Sequence, residues 1–213
     1  DRSRIPWALL AVDEGVPVPE SPESYSGLVF MGGPMSVNDD LPWIAPALTL
    51  IRAAVARGVP VLGHCLGGQL MSRALGGVVS RTVLKEIGWG EVRVAGNRSA
   101  RAWFGGTRDA FVTFHWHGET FSIPRGAEPV LTSAYCQNQG FALGPHLGLQ
   151  CHIEMTEDLV RSWCASGGRE IARRGSPAVQ PVTAIEHDLV NRLAALHEVA
   201  DTVYRRWTQG LRP

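Results

Sequence analysis

Short apolar runs alternate with stretches of helical spacing through the first third of the chain. Residues 8–12 read as a strand, and Gly27-Leu28-Val29-Phe30-Met31 as a second one that ends in Gly32-Gly33-Pro34. Over 46–57, Leu48, Ile51 and Val55 fall on one helical face, with Gly58 where a C-terminal cap belongs. Residues 58–62 form a short, wholly apolar strand, and 66–75 follow at once as a helix closed by Gly76-Gly77. This order predicts βαβ units and an α/β fold with a mostly parallel sheet flanked by helices.

Beyond residue 77 the pattern changes. Residues 78–83, 90–94, 111–116, 130–134, 140–143 and 147–152 read as strands with few helices between them, which predicts a small antiparallel extension of the sheet. Thr156 caps a helix to about residue 165, with Glu157 and Asp158 in its first turn, where the helix dipole favours negative charge. Residues 166–181, rich in Gly, Arg, Ser and Pro, read as a linker. An amphipathic helix over 183–208 follows, its stripe formed by Ile185, Leu189, Leu193, Leu196, Val199, Val203 and Trp207.

Composition narrows the function classes. At 213 residues and 45% hydrophobic content the chain can bury one substantial core, so a single domain over 1–213 is expected. Twenty basic residues balance 20 acidic ones without a run of one sign, which argues against a nucleic-acid scaffold or an electrostatic membrane binder. No apolar stretch approaches bilayer-spanning length, and Asp1-Arg2-Ser3-Arg4 is not followed by a signal-peptide core, so a cytoplasmic location is expected. The four cysteines (Cys65, Cys136, Cys151, Cys164) are expected as free thiols. None forms a CxxC pair, so despite seven histidines neither a metal nor a cofactor is expected.

Two constellations carry chemistry. Gly63-His64-Cys65-Leu66-Gly67-Gly68 follows a buried-looking strand and opens a helix, as a nucleophile elbow does, with Cys in place of Ser. The nucleophile sits in a strained turn, so the residues two before and two after it must be tiny to keep strand and helix backbones from colliding. A helix N-terminus stabilises a thiolate, and its free N–H groups, that of Leu66 above all, can receive an oxyanion. The bland alternative is a small buried cysteine in a Gly-rich turn. The second constellation, Gly148-Leu149-Gln150-Cys151-His152-Ile153-Glu154, reads as a strand on which His152 and Glu154 share a face. His152 can take the thiol proton or hold the ion pair, and Glu154 fixes its tautomer. Alone, His-x-Glu is a weak pattern that also describes a solvent-facing edge; with the elbow it gains weight.

Taken with three further segments in order (27–34, 85–89 and 115–119), these motifs resemble the class I, or triad-type, glutamine amidotransferases, in particular stand-alone proteins similar to the amidotransferase domain of GMP synthase. The resemblance covers nearly all of residues 5–165. It implies a three-layer, flavodoxin-like fold. It also implies Cys65 as nucleophile, His152 as general base and acid, Glu154 as its partner, and the N–H groups of Gly33 and Leu66 as the oxyanion hole. Gln69, one helical turn beyond Cys65, and Trp116 and His117, in the segment that resembles the family's His-Gly-Asp, would contact the substrate. For the side chains of His115 and His117, alternation on a half-buried strand is favoured over direct catalysis. His64 stands where the family often has Ile or Val, and its role is left open between a buried structural group and one that disturbs the thiol.

The implied activity is hydrolysis of the glutamine side-chain amide through a γ-glutamyl thioester, with a decline on the acid side as His152 protonates without a thiolate partner. The alternatives are a γ-glutamyl peptidase or hydrolase on other γ-glutamyl amides, and a non-catalytic regulatory protein of the same fold. The expected partners are a small-molecule substrate, glutamine or a γ-glutamyl compound, with a separate ammonia-accepting synthetase left open. Against the family pattern, the chain begins without Met and is expected to lack the opening strand and helix, about 20 residues or more by the size of a βα crossover.

Overall fold

The computed structural model describes residues 5–106, 108–173 and 175–211. In chain order the elements are β1 (Leu28–Phe30), α1 (Ile44–Arg57), β2 (Val61–His64), α2 (Leu66–Ala74), β3 (Val79–Val94), α3 (Arg98–Phe104) and β4 (Ala110–Phe121). They continue with β5 (Glu128–Ser133), β6 (Gly140–Leu143), β7 (His146–Leu149), α4 (Glu157–Ala172), α5 (Val182–Ile185) and α6 (Leu189–Gln209). The strands form one seven-stranded sheet in the order β1-β2-β7-β6-β5-β3-β4. β1, β2 and β7 are parallel, and every other pairing is antiparallel. The α/β architecture is as expected, with the antiparallel extension larger than the strand pattern suggested.

Both faces of the parallel part are covered, which is why its strands read as unbroken apolar runs. Val61 packs toward α1 and α2 with Ile51, Leu70 and Met71, whereas its neighbour Leu62 packs on the opposite face with Leu193, Leu196, Val199 and Val203 of α6. α1 ends at Gly58, whose left-handed backbone (φ 65°) closes the helix on the carbonyls of Ala54 and Val55.

The decisive topological event is the return of β7 to lie beside β2. Gly63 pairs with Gly148 and His64 with Leu149, and the Cys65 N–H donates to the Leu149 carbonyl at 2.8 Å. The residues that follow β2 and β7 therefore emerge together at the C-terminal ends of parallel strands, where α/β sheets place their sites.

Four elements differ from the sequence pattern. Residues 8–12 form no strand; a 3-10 turn spans Val12–Glu14, Trp7 and Leu9 are about three-quarters exposed (74% and 75%), and among the described residues no strand pairs with this apolar run. The segments 78–83 and 90–94 are one strand, β3, which bends where its register with β4 shifts between Arg81 and Glu86. α4 runs seven residues past the expected stop, through Gly167, because the Trp116 ring occupies the space a side chain there would need: a Cβ would lie 2.2 Å from Trp116 Cζ2. The C-terminal stripe is divided between α5 and α6 by Asp188, a non-glycine residue with φ 55°, although Ile185, Leu189, Leu193, Leu196, Val199 and Val203 are all buried.

Candidate active site

Cys65 caps the start of α2 with φ 50° and ψ −106°, a conformation that costs a non-glycine residue about 1–3 kcal/mol. The glycines around it are explained by backbone contact. A Cβ on Gly63 would lie 2.5 Å from the Gly67 carbonyl carbon, and one on Gly67 would lie 2.0 Å from the Phe30 carbonyl oxygen. The small residue two before the cysteine thus spares the helix that follows, while the one two after it spares the neighbouring strand β1.

His152 is buried and held by backbone, its N–H donating to the Phe114 carbonyl at 2.8 Å and its own carbonyl accepting from Phe114. It makes a single bridge to β4 instead of continuing β7 as the sequence suggested. The side-chain relation nonetheless forms: His152 Nδ1 donates to Glu154 Oε1 at 2.6 Å. The Trp163 ring meets the imidazole edge to face, with centroids 4.9 Å apart. His152 Nε2 has no hydrogen-bond partner among the described residues. A Cβ on Gly32 would lie 3.1 Å from His152 Cε1 and 3.5 Å from Cys65 Cβ, so the imidazole and the cysteine flank the same point on the loop after β1.

Electrostatics reinforce the pairing. Burial disfavours the His152 imidazolium, but the Glu154 carboxylate and the charge of the Cys65 sulfur outweigh it, pushing the ring up to about 10. Burial likewise opposes ionisation of Glu154, yet the facing histidines, His152 foremost, hold its carboxyl down at about 2. The direction of both shifts favours a charged imidazole held between the Glu154 carboxylate and the Cys65 sulfur.

The other expected residues are placed as follows. Gly33 lies against Leu66, whose Cδ2 a Gly33 side chain would approach to 3.1 Å. Its loop is tied to β4 by Ser36 Oγ, which donates to the Glu119 carboxylate at 2.8 Å. Gln69 does not reach outward; its Nε2 donates to Gln150 Oε1 at 3.1 Å, and Gln150 Nε2 in turn donates to the Cys65 sulfur at 3.5 Å. The Trp116 carbonyl is 4.0 Å from that sulfur, while the Trp116 indole donates to Glu170 and packs on Trp163. The His117 imidazole is turned to other partners, its Nδ1 donating to the Glu119 carbonyl at 3.0 Å and its Nε2 facing Glu86. Sequence reasoning missed Gln150 and the tie between Ser36 and Glu119. It also left His64 undecided: Nδ1 lies 3.2 Å from Glu154 Oε2, Nε2 3.3 Å from the Tyr204 hydroxyl, and burial keeps the ring below the usual histidine range. His64 is thus a buried group set between Tyr204 of α6 and the second Glu154 oxygen, hydrogen-bonded to the former and not to the latter.

The sequence profile of the family "Glutamine amidotransferase class-I" matches residues 9–160. The chain belongs to the class I glutamine amidotransferases. It is 30% identical over 177 residues to the putative glutamine amidotransferase-like protein YfeJ of Salmonella typhimurium, covering 79% of this chain and 72% of that one. It is 33% identical over 133 residues to the glutamine-hydrolyzing GMP synthase of Vibrio vulnificus, of whose length it spans 24%; that match takes in 61% of this chain. Among solved structures, the glutamine amidotransferase from Methylobacillus flagellatus superposes with a TM-score of 0.96 at 45% identity, covering 99% of this chain and 87% of the other. One from Thermotoga maritima gives 0.87 at 27% identity over 98% and 89%. As an amidotransferase-family chain it has no helix, among the described residues, long and apolar enough to cross a membrane.

Proposed function

We propose that this chain hydrolyses the side-chain amide of glutamine to glutamate and ammonia through a γ-glutamyl thioester on Cys65. The observation that carries the reading is the placement of a cysteine on a strained elbow beside a buried imidazole, the two flanking Gly32, with the imidazole's Nδ1 bound to Glu154 at 2.6 Å. The thiolate attacks the amide carbon. The developing oxyanion is received by the N–H groups of Leu66, the first residue of α2, and of Gly33 beside it. The His152 imidazolium gives its proton to the departing nitrogen, ammonia leaves, and the neutral imidazole then takes a proton from the water that opens the thioester. Glutamate is released and the thiolate–imidazolium pair is restored.

Gln150 donates a hydrogen bond to the sulfur, which steadies it as an anion, and Gln69 holds Gln150 in that orientation. The GMP synthases to which the chain is similar have further length beyond the match, which supports a separate ammonia-accepting synthetase as partner. Incubation with glutamine tests the reaction: equimolar glutamate and ammonia are expected from the native chain and none above background from Cys65→Ala. Release of either product at equal rates by both proteins would exclude this mechanism. A parallel panel of γ-glutamyl peptides reads whether larger amides are preferred to glutamine.

A further inference from the structure

Behind the strand that borders Cys65 lies a second set of polar side chains that the proposed chemistry does not use. Glu86 of β3 and His115 and His117 of β4 bring one ligand-type atom each to within 4.8 Å of one another, and all three residues are buried. The sheet builds this cluster: Glu86 pairs directly with His117 and Gly88 with His115, and the two histidines, two residues apart, share a face of β4.

Each donor is oriented as a metal ligand would be. The Glu119 carbonyl can only accept, so His117 carries its proton on Nδ1, and Nε2 presents a lone pair to Glu86 Oε2 at 3.2 Å. Gln139 Nε2 lies 3.3 Å from the same nitrogen, an amide donor shared between the ring and the carboxylate. The Glu86 carboxylate is fixed from behind by Ser133 Oγ, which donates to Oε1 at 2.9 Å, and by Gln139 Nε2, which donates to Oε2 at 2.8 Å. Such outer hydrogen bonds hold a ligating imidazole and carboxylate in place. Neither ring nitrogen of His115 has a hydrogen-bond partner among the described residues, although the residue is only 2% exposed; a Cβ on Gly90 would lie 3.0 Å from its Nε2. A buried polar ring without partners is costly, and a coordinate bond removes that cost. A cavity of about 330 Å³, lined by Glu86, Gly90, Arg93, Ser133 and Tyr135 among others, opens on the Glu86 side of the cluster.

The geometry points to a site for one divalent transition-metal ion of the zinc class, bound by Glu86, His115 and His117, against the expectation of no metal drawn from the sequence. Two imidazoles and a carboxylate suit such an ion, whose bonds of ~2.0–2.2 Å require the three side chains to close in slightly. Trp116 lies between the two histidines with its carbonyl beside Cys65, so the ion would fix the strand that borders the nucleophile.

The cysteine centre, with its own imidazoles and carboxylate, is the competing zinc site, and the test separates the two. Protein stripped with a chelator is dialysed against micromolar Zn²⁺, and bound metal is measured for the native chain, Cys65→Ala, Glu86→Gln and His115→Leu, with folding checked by circular dichroism. One equivalent is expected on the native chain and on Cys65→Ala, with affinity at least tenfold weaker in Glu86→Gln and His115→Leu. Substitution of Co²⁺ into the unaltered chain gives a readout that needs no variant: ligand-field bands without a thiolate-to-cobalt charge-transfer band are expected. No stoichiometric metal on the native chain, metal lost with Cys65 but kept by His115→Leu, or a thiolate charge-transfer band would each overturn the assignment.

Discussion

Gly67→Ala probes whether the elbow is held by contact between backbones. The added Cβ would lie 2.0 Å from the Phe30 carbonyl oxygen and 2.6 Å from its carbon. Against an ordinary separation near 3.4 Å, that leaves α2 and β1 too close by roughly 1.4 Å. Neither side is a flexible side chain, so the cost belongs at the upper end of overpacking, about 2–3 kcal/mol. For a domain of this size that is a fall in melting temperature on the order of 4–12 °C. The functional loss should be larger, because Gly32 and Gly33 follow Phe30 after Met31 and an ångström of displacement would move the proposed oxyanion donor Gly33; a loss of about 10²-fold is expected, in kcat more than in KM. Gly168→Ala is the control: nothing lies within 4 Å of its Cβ, and in the interior of α4 the change should add about 0.5–1 kcal/mol of stability. Thermal melts and glutaminase kinetics on both variants check this. A Gly67→Ala protein that melts and turns over like the native chain would refute the close-contact argument.

Three other outcomes follow from the same geometry. With His152 raised to about 10, the alkaline limb of kcat should fall near pH 10, and in Glu154→Gln it should move toward neutral pH as the counter-charge is lost, read in a pH–rate profile. The stability gained from this pair should be full between about pH 4.5 and 6.5, fading as pH rises through 10 because His152 is raised, and as it falls toward 2 because Glu154 is lowered; denaturant melts across pH, native against Glu154→Gln, measure it. Tyr204→Phe should leave the buried His64 Nε2 without its hydroxyl partner and cost about 1–3 kcal/mol in a denaturant melt. Ser36→Ala should leave the melting temperature nearly unchanged but slow turnover several-fold, since it releases the Gly33 loop from Glu119.

The elbow was legible because its constraint is local: Gly63, Cys65 and Gly67 lie within five residues, and tight turns demand small residues at fixed offsets. The relation of His152 to Glu154 was legible as a spacing, although the supporting backbone is one bridge to Phe114 and not a strand. What escaped was long-range. Glu86, His115 and His117 come together only through the register of a bent hairpin, and nothing in their sequence separation of about 30 residues announces it. The contact of His64 with Tyr204 spans 140 positions and depends on how α6 docks. α4 was cut short on paper because Gly167 and Gly168 look like a stop, when Gly167 is there to admit the Trp116 ring. Residues 8–12 carried strand composition without a partner edge, a condition a single chain pattern does not record.

The most direct test is covalent. A glutamine analogue bearing an electrophile in place of the side-chain amide, incubated with the native chain at neutral pH, should add one equivalent to the peptide containing Cys65, as read by mass spectrometry. Excess glutamine should slow that addition, and Cys136, Cys151 and Cys164, whose thiols burial pushes up, should stay unmodified. Labelling spread over the other cysteines, or none at Cys65 in protein whose circular dichroism shows it folded, would contradict a nucleophilic Cys65 and with it the catalytic reading.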